Sequence, residues 1–109
     1  MASAMVNPTP IDRLEAKLRE RRAADPANSY VASLHAKGMP TIARKLGEEA
    51  LETVIAALGG DTAALTAEAA DLVFHLLVLL EARGLRFDDV LAELERREGV
   101  SGIAEKAAR

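Results

Sequence analysis

Leu46-Gly47-Glu48-Glu49-Ala50-Leu51-Glu52-Thr53-Val54-Ile55-Ala56-Ala57 sets three carboxylates inside a strongly apolar helical pattern. Thr41 opens this helix, Ile42, Leu46, Leu51, Val54, Ile55 and Leu58 form its packing surface, and Gly59-Gly60 ends it. On a helix of about 3.6 residues per turn, Glu49 and Glu52 are neighbours at i,i+3 and Glu48 and Glu52 at i,i+4, so all three crowd one edge. Like charges at that spacing cost a few tenths of a kcal/mol per exposed pair, and more at low dielectric. Gly47 is a further irregularity, because glycine inside a helix costs about 1 kcal/mol against alanine. Two explanations of it stay open: plain tolerance, or a need for bare backbone where something approaches closely.

A second acidic pair, Glu68 and Asp71, again one turn apart, leads into Leu72-Val73-Phe74-His75-Leu76-Leu77-Val78-Leu79-Leu80. Two helices, each with acids at one-turn spacing on a face otherwise built for packing, bring four or five oxygen donors to one point. A divalent cation would neutralise them. Oxygen donors without cysteine suit Mg²⁺ or Mn²⁺, which leave positions for water and substrate phosphates. An EExxE run alone is common on solvated faces; the apolar setting of the second pair turns the balance toward a metal site. His75, at i+4 from Asp71, reads as a core histidine hydrogen-bonded to a carboxylate.

Outward from these two helices, the chain reads as one all-α domain over residues 9–109, with residues 1–8 an aperiodic segment expected to be disordered. Thr9 and Pro10 start a helix that ends near Arg22 and buries Ile11, Leu14 and Leu18, leaving Arg19, Arg21 and Arg22 in water. Asp25-Pro26-Ala27-Asn28 is a turn. Ser29 caps a short helix from Tyr30 to Lys37, with Tyr30 and Leu34 on its buried face and His35 on the surface; Gly38 stops it before Pro40. Lys37, Arg44 and Lys45 are candidates for anion contact, although Lys45 can equally pair with Glu48 or Glu49. Asp61 caps the second long helix and Gly84 ends it. Its stretch 69–80 is apolar nearly all round, more than so short a chain can cover, which predicts a homodimer. Asp88 caps a last helix over 89–97 with Val90, Leu91 and Leu94 inward, and the tail 100–109 has a helical tendency from Ile103.

The net charge of −3, with basic residues dispersed among acids, lacks a nucleic-acid footprint. The absence of cysteine excludes disulfides and thiolate chemistry. The first residues lack a signal pattern, and the apolar run after Asp71, interrupted by His75, reads as too short to span a bilayer, so no membrane partner and a cytoplasmic location are expected.

Taken with its flanking segments, the acidic pattern is similar to that of the phosphoribosyl-ATP pyrophosphatases of histidine biosynthesis, in the all-α, MazG-like superfamily of nucleoside-triphosphate pyrophosphatases. The superfamily motif is Glu48-Glu49-Ala50-Leu51-Glu52 with Glu68-Ala69-Ala70-Asp71. The narrower resemblance lies in Ser29-Tyr30-Val31-Ala32-Ser33-Leu34-His35-Ala36-Lys37-Gly38, Ile42-Ala43-Arg44-Lys45-Leu46-Gly47-Glu48-Glu49, Ala70-Asp71-Leu72-Val73-Phe74-His75-Leu76-Leu77-Val78-Leu79-Leu80 and the closing Ser101-Gly102-Ile103-Ala104-Glu105-Lys106-Ala107-Ala108-Arg109. Val31 and His35 depart from the family's usual Thr and aliphatic residue. The resemblance covers no fused cyclohydrolase domain, so the activity is expected to stand alone.

The resemblance implies a helical bundle completed by homodimerisation. It also implies Mg²⁺-dependent hydrolysis of phosphoribosyl-ATP to phosphoribosyl-AMP and pyrophosphate, with Mn²⁺ a possible substitute. Glu49, Glu52, Glu68 and Asp71 would then hold the metal, Glu48 would orient or deprotonate the attacking water, and Lys37, Arg44 and Lys45 would meet phosphate. Two other readings stay open: a related pyrophosphatase for damaged or non-standard nucleotides, and a non-enzymatic dimerising bundle whose acids are solvated.

Overall fold

The computed structural model describes residues 7–99 and 106–107, and among these there are five α-helices and no strand. They are α1 (Pro10–Arg22), α2 (Tyr30–Lys37), α3 (Met39–Gly59), α4 (Thr62–Ala82) and α5 (Phe87–Arg96). Of residues 1–8, expected to be disordered, residues 1–6 fall outside the described residues, as does the tail from Ile103 apart from a helical Lys106 and Ala107.

Local chemistry explains where the helices start and stop. Thr9 and Asp12 cap α1 reciprocally: the Asp12 N–H donates to Thr9 Oγ1 at 3.1 Å and the Thr9 N–H to Asp12 Oδ2 at 2.9 Å. Ser29 Oγ accepts the Ala32 N–H at 3.1 Å to open α2. Gly38, at φ 94°, both ends α2 and precedes α3, in a backbone region that side chains rarely adopt. α3 begins at Met39, two residues before the expected Thr41. Proline in the first turn gives up an N–H that has no intrahelical partner anyway, so Pro40 belongs inside the helix. Gly60, left-handed at φ 81°, and Asp61 make the turn to α4; Asp61 Oδ1 accepts the N–H groups of Ala63 and Ala64 at 3.0 and 3.2 Å. So short a connection sets α3 and α4 side by side and antiparallel, the main packing pair of the molecule.

α5 likewise starts early, at Phe87, with Arg86 in the capping position expected of Asp88. One of its first donors is satisfied from far along the chain, the Phe87 N–H donating to Glu15 Oε2 on α1 at 2.8 Å, and another locally, the Arg86 N–H donating to Asp89 Oδ2 at 2.8 Å. Glu15 is buried, and its other oxygen faces Arg86 at 3.4 Å.

The core joins Leu18 of α1, Val31 and Leu34 of α2, Ile42 of α3, and Leu77, Val78 and Leu80 of α4. Three apolar expectations fail here. Tyr30 is half-exposed, not packed beside Leu34. On α3 the stripe Leu51, Val54, Ile55 and Leu58 stands 61%, 55%, 59% and 85% exposed, so one face of that helix's second half has no cover among the described residues. On α5 only Val90 packs on the core, while Leu91 and Leu94 are exposed. His35 also differs from its surface reading. It is half-buried, its Nε2 has no hydrogen-bond partner, and burial, reinforced by the charge of Arg22, lowers its pKa.

The 21 residues of α4 are by length and composition enough to cross a membrane, longer than the apolar run after Asp71 that the sequence marks as too short. A core helix of a soluble bundle meets the same test. Here α4 buries His75, Leu77, Val78 and Leu80 against the other helices, and the side chain of Arg22 reaches its last turn, 3.0 Å from the Glu81 carbonyl.

Candidate active site

The α3–α4 hairpin brings the acidic turns of both helices together. One carboxylate oxygen each from Glu49, Glu68 and Asp71 lie within 4.8 Å of one another. Three of the five expected carboxylates therefore meet. Glu52, exposed and one turn beyond Glu49, stands close enough for its carboxyl to raise the pKa of both Glu49 and Glu68. Glu48 stands apart: its Oε1 accepts from Lys45 Nζ at 3.1 Å and its Oε2 lies 3.6 Å from Arg44 Nε. The pairing of Lys45 with Glu48, open in the sequence, is thus settled, and Arg44 joins it. Lys37 is exposed and makes no ion pair among the described residues.

Burial and charge act in the same direction on this cluster. Glu49 is buried, and one oxygen each of Glu49 and Glu68, Oε2 in both, is sealed from solvent with no hydrogen-bond partner. An unpaired buried carboxylate oxygen is costly. Burial first, then the neighbouring Glu52 carboxyl, raises the pKa of both Glu49 and Glu68, and Asp71 adds to each shift. An all-oxygen donor set with two unpartnered atoms suits a hard divalent cation, and this is the only group of three or more possible metal-ligating side chains among the described residues.

Two polar supports of the cluster were not assigned from the sequence. Thr53 Oγ1 lies 2.8 Å from the Glu49 carbonyl and 3.2 Å from the Glu68 carbonyl, so one hydroxyl ties the two acidic turns together. Its bond to the residue four before is a familiar habit of helical threonine; its reach to α4 has no sequence signal. His75 is buried as expected, but not against a carboxylate. Its Nδ1 lies 2.8 Å from the Asp71 backbone carbonyl and its Nε2 2.8 Å from the Tyr30 hydroxyl. Gly47 is exposed, and a Cβ there would meet nothing within 4 Å, so within the chain no close approach requires it.

A cleft of about 680 Å³ opens elsewhere, between the start of α1 and the start of α5, lined by Thr9, Ile11, Asp12, Arg86, Phe87 and Leu91 among others. None of the clustered acids borders it; they lie on the α3–α4 pair.

Comparison with known proteins bears on the same residues. The family model for phosphoribosyl-ATP pyrophosphohydrolase matches residues 11–98, a span that holds all the clustered acids. The phosphoribosyl-ATP pyrophosphatase of Rhizorhabdus wittichii is 68% identical, over 91% of this chain and 93% of the relative. That of Erythrobacter litoralis is 64% identical over 91% and 95%, and that of Zymomonas mobilis 60% over 88% and 90%. The chain belongs to the phosphoribosyl-ATP pyrophosphohydrolase family.

Proposed function

We propose that this chain hydrolyses phosphoribosyl-ATP to phosphoribosyl-AMP and pyrophosphate, a step of histidine biosynthesis, at the Glu49, Glu52, Glu68 and Asp71 cluster. The observation that carries the site is the pair of buried, unpartnered oxygens on Glu49 and Glu68, on two helices whose carboxylates gather with that of Asp71 within 4.8 Å. These four side chains would hold Mg²⁺, with Mn²⁺ as a substitute. When bound, the cation supplies positive charge against the triphosphate and the departing pyrophosphate.

The chain's own residues take the remaining roles. Water adds to phosphorus, the anhydride linkage between the first and second phosphates breaks, and the pyrophosphate leaves with the bridging electron pair. Glu48, exposed and one turn before Glu52, orients that water or takes its proton. In the structure it is held by Lys45 and Arg44, and substrate phosphates compete for both cations, releasing the Glu48 carboxylate as they bind. Lys37 is the third phosphate contact. The exposed α3 stripe is the surface on which a second copy completes the bundle, and the enzyme acts in the cytoplasm on a free nucleotide.

The test is pyrophosphate release with Mg²⁺ from phosphoribosyl-ATP, ATP and dUTP in parallel. Phosphoribosyl-ATP is expected to exceed the other two in kcat/KM by at least about 100-fold, a discrimination available to a site that pairs polar groups of the extra ribosyl phosphate. Equal turnover of all three would assign the chain to general nucleotide clearance.

A further inference from the structure

His75 is 6% exposed in a stretch whose neighbours are Phe74, Leu76, Leu77 and Val78. An aliphatic side chain would fill that place without needing partners. An imidazole there must have both nitrogens paired, or it carries the cost of a buried unsatisfied group. A carbonyl oxygen can only accept, so His75 Nδ1 carries the proton and donates to Asp71, and Nε2 accepts from the Tyr30 hydroxyl. Burial raises the Tyr30 pKa, which keeps that hydroxyl a donor. The Asp71 carbonyl also faces the His75 backbone N–H within the helix, so two donors from one residue converge on the turn that carries the Asp71 carboxylate.

The rings are arranged to hold this geometry. Tyr30 stacks on Phe74 with centroids 6.4 Å apart and 23° between planes, and His75 meets both rings edge-on, at 5.8 and 5.3 Å. Tyr30 lies on α2, whereas Asp71 and Glu68 lie on α4. The bond therefore fixes where the start of α2 stands relative to the acidic turn, and a fully paired buried network of this kind specifies placement more than it adds stability.

We propose that Tyr30 and His75 are positioning residues for the acidic cluster: the Tyr30 hydroxyl locks the His75 ring, whose Nδ1–H holds the Asp71 turn at the placement a cation requires. This rests on the reading of the cluster as a metal site, and it touches neither substrate nor reacting atoms.

Three measurements on Tyr30→Phe, which keeps the ring and loses the hydroxyl, decide it. In the metal-free protein, long-range ¹H–¹⁵N spectra of His75 show a single Nδ1–H tautomer in wild type, and in the variant the Nε2 resonance moves to the position of a ring nitrogen without a donor. Mn²⁺ titration of the protein alone shows affinity reduced about tenfold, the scale typical when a group supporting a metal ligand is removed. With phosphoribosyl-ATP at saturating substrate, the half-saturating Mg²⁺ concentration rises about tenfold while KM for the nucleotide stays within twofold. His75→Asn, whose amide can still donate to the Asp71 carbonyl, recovers at least half of the Mn²⁺ affinity lost in His75→Leu. Mn²⁺ affinity within twofold of wild type in Tyr30→Phe overturns the proposal, as does a raised nucleotide KM with metal binding intact, which would place Tyr30 against substrate. A wild type that binds Mn²⁺ but releases no pyrophosphate sinks the enzymatic reading and leaves the positioning claim to the binding data.

Discussion

Glu49 and Glu68 each have one carboxylate oxygen sealed from solvent without a hydrogen-bond partner, and neither makes an ion pair among the described residues. Glu49→Gln, Glu52→Gln, Glu68→Gln and Asp71→Asn should each cut turnover at least about 100-fold at saturating Mg²⁺, since each loses a charged ligand of the cation that offsets the transition-state charge. Their folds should survive, because an amide keeps the shape and relieves repulsion; steady-state kinetics beside circular dichroism checks both halves. The raised pKa of Glu49 and Glu68 has a definite consequence for metal-free protein. Folded protein holds these protons more tightly than unfolded, so their stabilisation is fully present below the unfolded carboxyl pKa and is lost as pH rises through the folded value. Urea melts in EDTA should show stability falling with rising pH across that window, and Glu49→Gln with Glu68→Gln together should flatten the fall. The meeting of these acids was legible in the sequence because helical periodicity alone puts i,i+3 and i,i+4 residues on one edge. Glu48 sat on the same edge, yet it turned to the lysine and arginine one turn earlier, a choice between neighbours that spacing leaves undecided. His75 found a backbone carbonyl instead of a carboxylate, and a carbonyl has no letter in the sequence.

At the scale of elements, capping residues located α1, α2 and α4 well, because in each the cap is local: Thr9 with Asp12, Ser29 with Ala32, Asp61 with Ala63. α3 and α5 each start two residues before the sequence signals for them, for opposite reasons. Pro40 looked like a barrier but is an acceptable first-turn residue, and Phe87 is capped by Glu15, 72 residues away. Gly47 offers a clean test of what α3 tolerates. It is exposed, helical and has open space where a Cβ would go, so Gly47→Ala should stabilise the protein by about 0.5–1 kcal/mol. Denaturant melts measure this directly. A loss of stability would show that a partner or ligand closes on that backbone.

For the whole molecule, the question is what covers Leu51, Val54, Ile55 and Leu58. The sequence reading placed the surplus apolar surface on α4, but within the chain α4 buries its central face and the uncovered stripe lies on α3. A second copy remains the expected cover, because a contiguous apolar face of this kind marks an interface. Sedimentation at micromolar protein should show a dimer for wild type and a monomer for Val54→Glu with Leu58→Glu; a wild-type monomer at every concentration would remove the homodimer.

The central claim is that the acids of α3 and α4 form a cation site and not a solvated face. A ligand that binds only the folded state stabilises by RT ln(1 + [L]/Kd), about 2.7 kcal/mol at 100 times Kd. The most direct measurement is a set of thermal melts in EDTA and in Mg²⁺ at matched ionic strength. These compare wild type with the variant in which Glu48, Glu49, Glu52 and Glu68 are Gln and Asp71 is Asn. Wild type should melt higher with Mg²⁺, and the variant should ignore Mg²⁺ while being at least as stable as wild type in EDTA. A wild type whose melting temperature is as indifferent to Mg²⁺ as the variant's would contradict the account.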